Sequence, residues 1–168
     1  MVDLTIGDKA PAFTLPADGG ETLSLADLRG KYVVLYFYPK DNTPGCTRQA
    51  CDLRDSMDEI RHKNAVVVGI SKDNVASHDK FKAGQGLNFT LASDADSDVC
   101  ERYGVWVEKN MYGRKYMGIA RTSFLIDPDG NIIAVWRKVK AANHRDDVLE
   151  ALEKHSAAAT PKAAEIKA

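Results

Sequence analysis

The stretch Tyr32-Val33-Val34-Leu35-Tyr36-Phe37-Tyr38-Pro39-Lys40-Asp41-Asn42-Thr43-Pro44-Gly45-Cys46-Thr47-Arg48-Gln49-Ala50-Cys51 passes from an unbroken apolar run into a helix start. Its first part lacks polar alternation, the pattern of a strand buried on both faces. A second run of that kind covers residues 65–70. Between the two, Ala50, Leu53, Met57 and Ile60 fall at steps of three, four and three, which predicts an amphipathic helix. Strand, helix and strand in this order make a βαβ unit, so the fold is α/β.

Working outward, residues 12–15 and 22–25 are short alternating runs on either side of Ala17-Asp18-Gly19-Gly20, a predicted N-terminal hairpin. Downstream, residues 75–83 and 97–103 read as helices, with a short strand at 89–91. Two strand-like runs, 119–126 and 132–139, are joined by Asp127-Pro128-Asp129-Gly130-Asn131, a turn that makes them an antiparallel hairpin. A closing helix is expected over 145–155. Residues 156–168, small and polar apart from Ile166, are expected to be a disordered tail, leaving 1–155 as one domain. A βαβ half followed by a ββα half resembles the thioredoxin fold: a central mixed sheet flanked by helices, here with an N-terminal hairpin extension.

The composition supports one ordinary globular domain: 168 residues, 44% hydrophobic and 28% charged. A net charge of -1, from 23 basic and 24 acidic residues, offers no footprint for nucleic acid or anionic lipid. The longest apolar run, Tyr32 to Tyr38, is far short of the about 20 residues of a membrane span. With neither a basic n-region nor an apolar h-region at its start, the chain is expected to be cytoplasmic. Three cysteines in a reducing compartment point to catalysis or metal binding rather than to structural disulfides.

Cys46 carries the chemistry. With Thr43 as N-cap and Pro44 at the first helical position, the thiol falls in the first helical turn. Unpaired backbone N–H groups and the positive end of the helix dipole favour thiolate there. Cys46 also continues the apolar stripe, four residues before Ala50, so it should be sheltered. Ionisation alone is a small gain: at the ordinary thiol pKa of about 8.5 only ~3% is thiolate at pH 7, so full ionisation gives at most about 30-fold. Larger gains need donors that orient a substrate and stabilise developing charge. The Thr43 hydroxyl and the guanidinium of Arg121, ahead of the apolar run 123–126, are the candidates.

Pro39-x-x-x-Thr43-x-x-Cys46, together with Arg121 in Arg-Thr-Ser-Phe-Leu-Ile-Asp, resembles the two active-site segments of peroxiredoxins. Cys51, five residues after Cys46, is similar to the arrangement in the bacterioferritin comigratory protein, or peroxiredoxin Q, subgroup. The resemblance spans residues 4–152. It implies a thiol-dependent peroxidase for hydrogen peroxide and organic hydroperoxides that works in antioxidant defence. Cys46 becomes sulfenic acid, Cys51 resolves it to an intramolecular disulfide, Pro39 shields the thiol, and Thr43 and Arg121 hold the peroxide. A thioredoxin- or glutaredoxin-type donor then reduces the disulfide, and no cofactor is needed. Thr122-Ser123 stands where the family reads Ser-Thr, a swap that leaves these roles untouched.

Five positions along an α-helix set two Cα atoms ~8.5 Å apart, whereas a disulfide needs less than about 7 Å. Closing Cys46 onto Cys51 therefore requires the helix start to unwind, and Gly45→Ala, by favouring the helix, is expected to alter sensitivity to overoxidation. Other features have plainer readings. Cys100 suits core packing, His62 complements a helix C-terminus, and His78, His144 and His155 are placed on solvated faces. No set of residues has the spacing of a metal site. Trp106, Met111, Tyr112, Tyr116 and Met117 form an aromatic and Met-rich stretch that fits core packing or a covering loop at least as well as a substrate entrance or a partner contact. The chain is expected to be a monomer. A protein disulfide oxidoreductase and a redox-gated binding protein are the competing functions, although Cys-x4-Cys is not the Cys-x-x-Cys of the former.

Overall fold

The computed structural model describes residues 4–167, with side chains through His155. Its centre is a five-stranded mixed sheet. The two apolar runs form β3 (Tyr32–Phe37) and β4 (Ala65–Ser71), which pair in parallel with Tyr36 opposite Gly69. β5 (Thr90–Ser93) continues the parallel half. β8 (Thr122–Ile126) runs antiparallel to β3 and carries β9 (Ile132–Trp136) at the far edge, through the expected hairpin, so the strand order is β5-β4-β3-β8-β9. Burial of β3 on both faces explains its lack of alternation.

The faces have different covers. Val33, Leu35 and Phe37 point to one side, where Phe13, Leu15, Val99, Tyr103 and Val105 pack on them. Leu15 lies on β1 (Thr14–Pro16), which pairs with β2 (Thr22–Ser24), and Phe13 just before it; Val99 opens the short helix α4 (Val99–Arg102), and Tyr103 and Val105 follow it. Val34, Tyr36 and Tyr38 point to the other side, beneath α1 (Pro44–Asp55), α2 (Met57–His62), α3 (Val75–Gln85) and α5 (Ala141–Lys167).

Four expectations are corrected. The single helix after β3 is two, because Ser56 leaves the helical conformation and its N–H turns back to Leu53 and Arg54 carbonyls; the apolar stripe continues across the break through Met57 and Ile60. Residues 106–119 are not a loop leading into one long strand. They form a separate antiparallel hairpin, β6 (Trp106–Met111) and β7 (Arg114–Ile119), turned by Tyr112 and Gly113 with positive φ. His78 and His144 are fully buried, not solvated. The closing helix α5 starts at Ala141 rather than at residue 145, and its backbone continues to Lys167. The side chains from Ser156 onward lie outside the described residues. No helix among the described residues is long and apolar enough to cross a membrane.

Candidate active site

The loop from β3 to α1 is built as its sequence dictates. Thr43 is the N-cap in an extended conformation and Pro44 opens the helix, where its missing N–H costs nothing. The Thr43 hydroxyl does not cap the helix but donates to the Lys40 carbonyl at 2.9 Å. Cys46 therefore sits in an uncapped first turn, at the positive end of the dipole, with its side chain buried against Ala50 and the sheet. Pro39 is half-buried where β3 passes into this loop.

Strand pairing delivers the guanidinium. β3 and β8 are antiparallel with Phe37 opposite Thr122, so Arg121 comes one step beyond that pair, beside the start of the loop. Its Nη2 donates to Cys46 Sγ at 3.3 Å and its Nη1 donates to Gln49 Oε1. Gln49, one turn after Cys46 and buried, donates through Nε2 to His144 Nδ1 at 3.0 Å. His144 Nε2 in turn lies 2.9 Å from Ser123 Oγ. Burial, and secondarily the Arg121 charge, push His144 down to about 4. Gln49 and His144 were missed in the sequence because a polar residue in a helix is normally read as solvated, and they meet only across 95 positions.

Two further neighbours were also missed. Tyr36 lies beneath α1 with its ring over Gly69, where an added Cβ would come 2.9 Å from the phenol oxygen. Among the described residues its hydroxyl is the buried side-chain polar atom without a hydrogen-bond partner. Burial first, then Cys46 and Asp41, hold the phenol well above its ordinary value. Lys109 on β6 lays its stem across Gly118 and is half-buried. Burial and Arg121 push its ammonium down, with Cys46 acting the other way.

On the other side the loop is anchored by Asp41, which is buried. Oδ1 accepts from the Tyr38 hydroxyl at 2.6 Å, while Oδ2 accepts from Ser77 Oγ at 2.7 Å and His78 Nδ1 at 2.8 Å. The Asp41 N–H donates to Asp73 Oδ2, which also accepts from Ser71 Oγ. Burial pushes the Asp41 carboxyl up, but the bonds from His78, Tyr38 and Ser77 outweigh it and hold it below the ordinary range. Asp41, Asp73 and His78 bring potential metal-ligating atoms within 4.8 Å of one another, but the two carboxylates already accept the donors just named and His78 Nδ1 is itself one of those donors.

Cys51 shares α1 with Cys46 but turns towards α3, where its thiol donates to Gln85 Oε1 at 3.5 Å. Arg54 also binds the Gln85 carbonyl, at 2.6 Å. Cys46 and Cys51 are both free thiols in an unbroken helix. Gly45→Ala is a poor probe of helix stability, because its Cβ would stand 3.2 Å from Arg121 Nη2 and disturb the guanidinium as well. Cys100 lies in the opposite core, its thiol pushed far up by burial and by Asp94. Met111, Tyr112, Tyr116 and Met117 are exposed on the β6–β7 hairpin.

Comparison with known proteins shows the family. Residues 6–135 match the AhpC/TSA family. The chain is 56% identical over 148 residues to a putative peroxiredoxin Bcp of Coxiella burnetii, covering 88% of this chain and 98% of that one. It is 50% identical over 156 residues to peroxiredoxin Bcp of Escherichia coli K12, covering 93% and 100%. Among solved structures, the Xanthomonas campestris bacterioferritin comigratory protein, studied for its alkyl peroxide reduction activity, superposes with a TM-score of 0.82 at 44% identity, covering 86% and 92% of the two chains. The chain thus belongs to the AhpC/TSA family, as a peroxiredoxin of the Bcp or PrxQ type with a thioredoxin-like fold.

Proposed function

We propose that the chain reduces hydrogen peroxide and organic hydroperoxides through Cys46, with Cys51 as the resolving thiol. The observation that carries this reading is the Arg121 guanidinium 3.3 Å from Cys46 Sγ at an uncapped helix start. A thiolate there is aimed by a cation that can also receive a peroxide oxygen. The Cys46 sulfur attacks one peroxide oxygen, the O–O bond breaks, and the other oxygen leaves with a proton as water or alcohol. Cys46 is left as sulfenic acid. Thr43, whose hydroxyl proton is committed to Lys40, would offer its oxygen as an acceptor for the peroxide hydrogen, and Pro39 would limit access of water.

The Cys51 thiolate then attacks the Cys46 sulfur, water leaves, and an S–S bond forms. Because Cys51 is held towards Gln85 and the two Cα atoms of a regular helix are ~8.5 Å apart at this spacing, that step requires the first turns of α1 to unwind. A thioredoxin- or glutaredoxin-type dithiol would restore the reduced pair. The same reading takes the enzyme as a monomer of the reducing cytoplasm, where free thiols persist.

Mass spectrometry after one equivalent of hydrogen peroxide tests it. Wild type should form a Cys46–Cys51 disulfide, Cys51→Ser should hold sulfenic acid on Cys46, and Cys46→Ser should not react. Cys46 staying reduced in every variant would sink the peroxidase reading and favour a redox-gated binding protein.

A further inference from the structure

We infer that His144 is a positioning residue for peroxide reduction: its imidazole sets the direction of the Gln49 carboxamide, which in turn holds the Arg121 guanidinium over Cys46. The inference rests on Cys46 being the peroxide-reactive thiol. A carboxamide has two ends of nearly the same shape, one accepting and one donating. Arg121 has only donors, so it can be held only by the oxygen end. That orientation obliges the Nε2 end of Gln49 to find an acceptor, and the atom it meets at 3.0 Å is His144 Nδ1.

Nδ1 accepts only while the ring is neutral and carries its proton on Nε2. Ser123 Oγ, 2.9 Å from Nε2, is the receiver for that proton. Every member of the chain Ser123–His144–Gln49–Arg121–Cys46 therefore has a single consistent direction. A donor in place of Nδ1 would face Gln49 with donors at both ends. The carboxamide would turn, Arg121 Nη1 would lose its acceptor, and the fork that aims Nη2 at sulfur would lose one of its two fixed points.

The surroundings keep the ring in the required form. It is fully buried and packs against the Tyr36 ring, 5.6 Å between centroids. The titratable and charged groups facing it are Tyr36 on β3, Cys46 on α1 behind Gln49, and Arg121 at the head of β8; of these Arg121 is the cation and opposes a second proton. On α5 itself the adjacent Arg145 and Asp146 are paired with each other.

A double-mutant cycle in single-turnover stopped flow of reduced enzyme with hydrogen peroxide separates this role from plain packing. His144→Leu should slow Cys46 oxidation roughly tenfold, as expected when a guanidinium loses its alignment. His144→Asn, whose Oδ1 can replace Nδ1 as acceptor, should stay within about threefold of wild type. In a Gln49→Glu background both carboxylate oxygens accept, so Arg121 no longer depends on the imidazole. There His144→Leu should cost less than about twofold relative to Gln49→Glu alone. Should His144→Leu fail to fold, Ser123→Ala, which removes only the receiver of Nε2–H, replaces it in the cycle. It should slow the otherwise wild-type enzyme about threefold and leave the rate of the Gln49→Glu variant unchanged. Equal losses in both backgrounds, a His144→Asn rate no better than His144→Leu, or a wild-type rate in His144→Leu would each overturn the inference. If wild-type Cys46 does not react with peroxide, the peroxidase reading itself fails; if it reacts and the cycle is additive, only the role of His144 falls.

Discussion

His78 and His144 are both fully buried imidazoles, and both brace the segment that carries Cys46, yet they do so with opposite electrostatics. His78 faces a carboxylate, Asp41, and an Ala92 carbonyl. His144 faces a carboxamide and lies near a cation, Arg121. The first network clamps the loop between β3 and α1 to α3 through an ionised centre that three donors surround. The second is a neutral relay that passes direction, not charge, to the guanidinium. Burial alone therefore does not determine what a histidine does; the sign of the group beyond it does.

The largest test of this contrast is deletion of the ionised centre. Asp41→Ala removes the carboxylate that accepts from the Tyr38 and Ser77 hydroxyls and from His78 Nδ1, and should cost about 3–5 kcal/mol in a urea titration at pH 7. A loss below about 1 kcal/mol would mean that the network is not the clamp described.

Acid should undo the two networks in sequence. The folded value of His144, about 4, is below the ordinary histidine value of about 6.5, so the unfolded chain takes the proton first as pH falls. Stability carried by neutral His144 is complete above about pH 6.5 and is lost on descending to about pH 4, in total about 3 kcal/mol. Asp41 is depressed in the folded state, so its contribution persists to lower pH and is lost only below the ordinary carboxylate value of about 3.9, as pH falls through the folded value. Denaturant titrations from pH 7 to 3 should show the first loss flattened by His144→Asn and the second untouched; a first loss that survives in this variant would break the assignment.

Matched hydroxyl deletions sharpen the same contrast. Ser77→Ala removes a donor to a carboxylate and should cost about 2 kcal/mol, whereas Ser123→Ala removes a neutral partner and should cost about 1 kcal/mol. Thermal unfolding of the pair measures the difference, and a reversed order would contradict it. Smallest of all, Tyr36→Phe deletes a hydroxyl that has no partner, so the change should lie within about 1 kcal/mol and on the stabilising side. A clear loss of stability would show that the hydroxyl does find a partner.

What the sequence made legible was local. β3 and β4 are uninterrupted apolar runs, and the helix start at Cys46 is announced by Thr43-Pro44, so the sheet centre and the thiol could both be read directly. Arg121 was reached through motif resemblance, and the register of β3 against β8 supplies the physical reason it meets Cys46. The two histidine networks were not legible, because their partners stand 37 and 95 positions away and each residue on its own reads as surface. The β6–β7 hairpin escaped for a different reason. Met111, Tyr112, Tyr116 and Met117 are exposed, so no inside-outside alternation marks the strands, and only the positive-φ pair Tyr112-Gly113 signals the turn.

α5 has a bearing on the order in which the molecule is made. The AhpC/TSA match stops at residue 135, before the helix that carries His144. A chain grows from its N-terminus, so Cys46, Gln49 and Arg121 are all made before His144. A nascent chain that still lacks α5 therefore holds Cys46, Gln49 and Arg121 without the imidazole to which Gln49 donates.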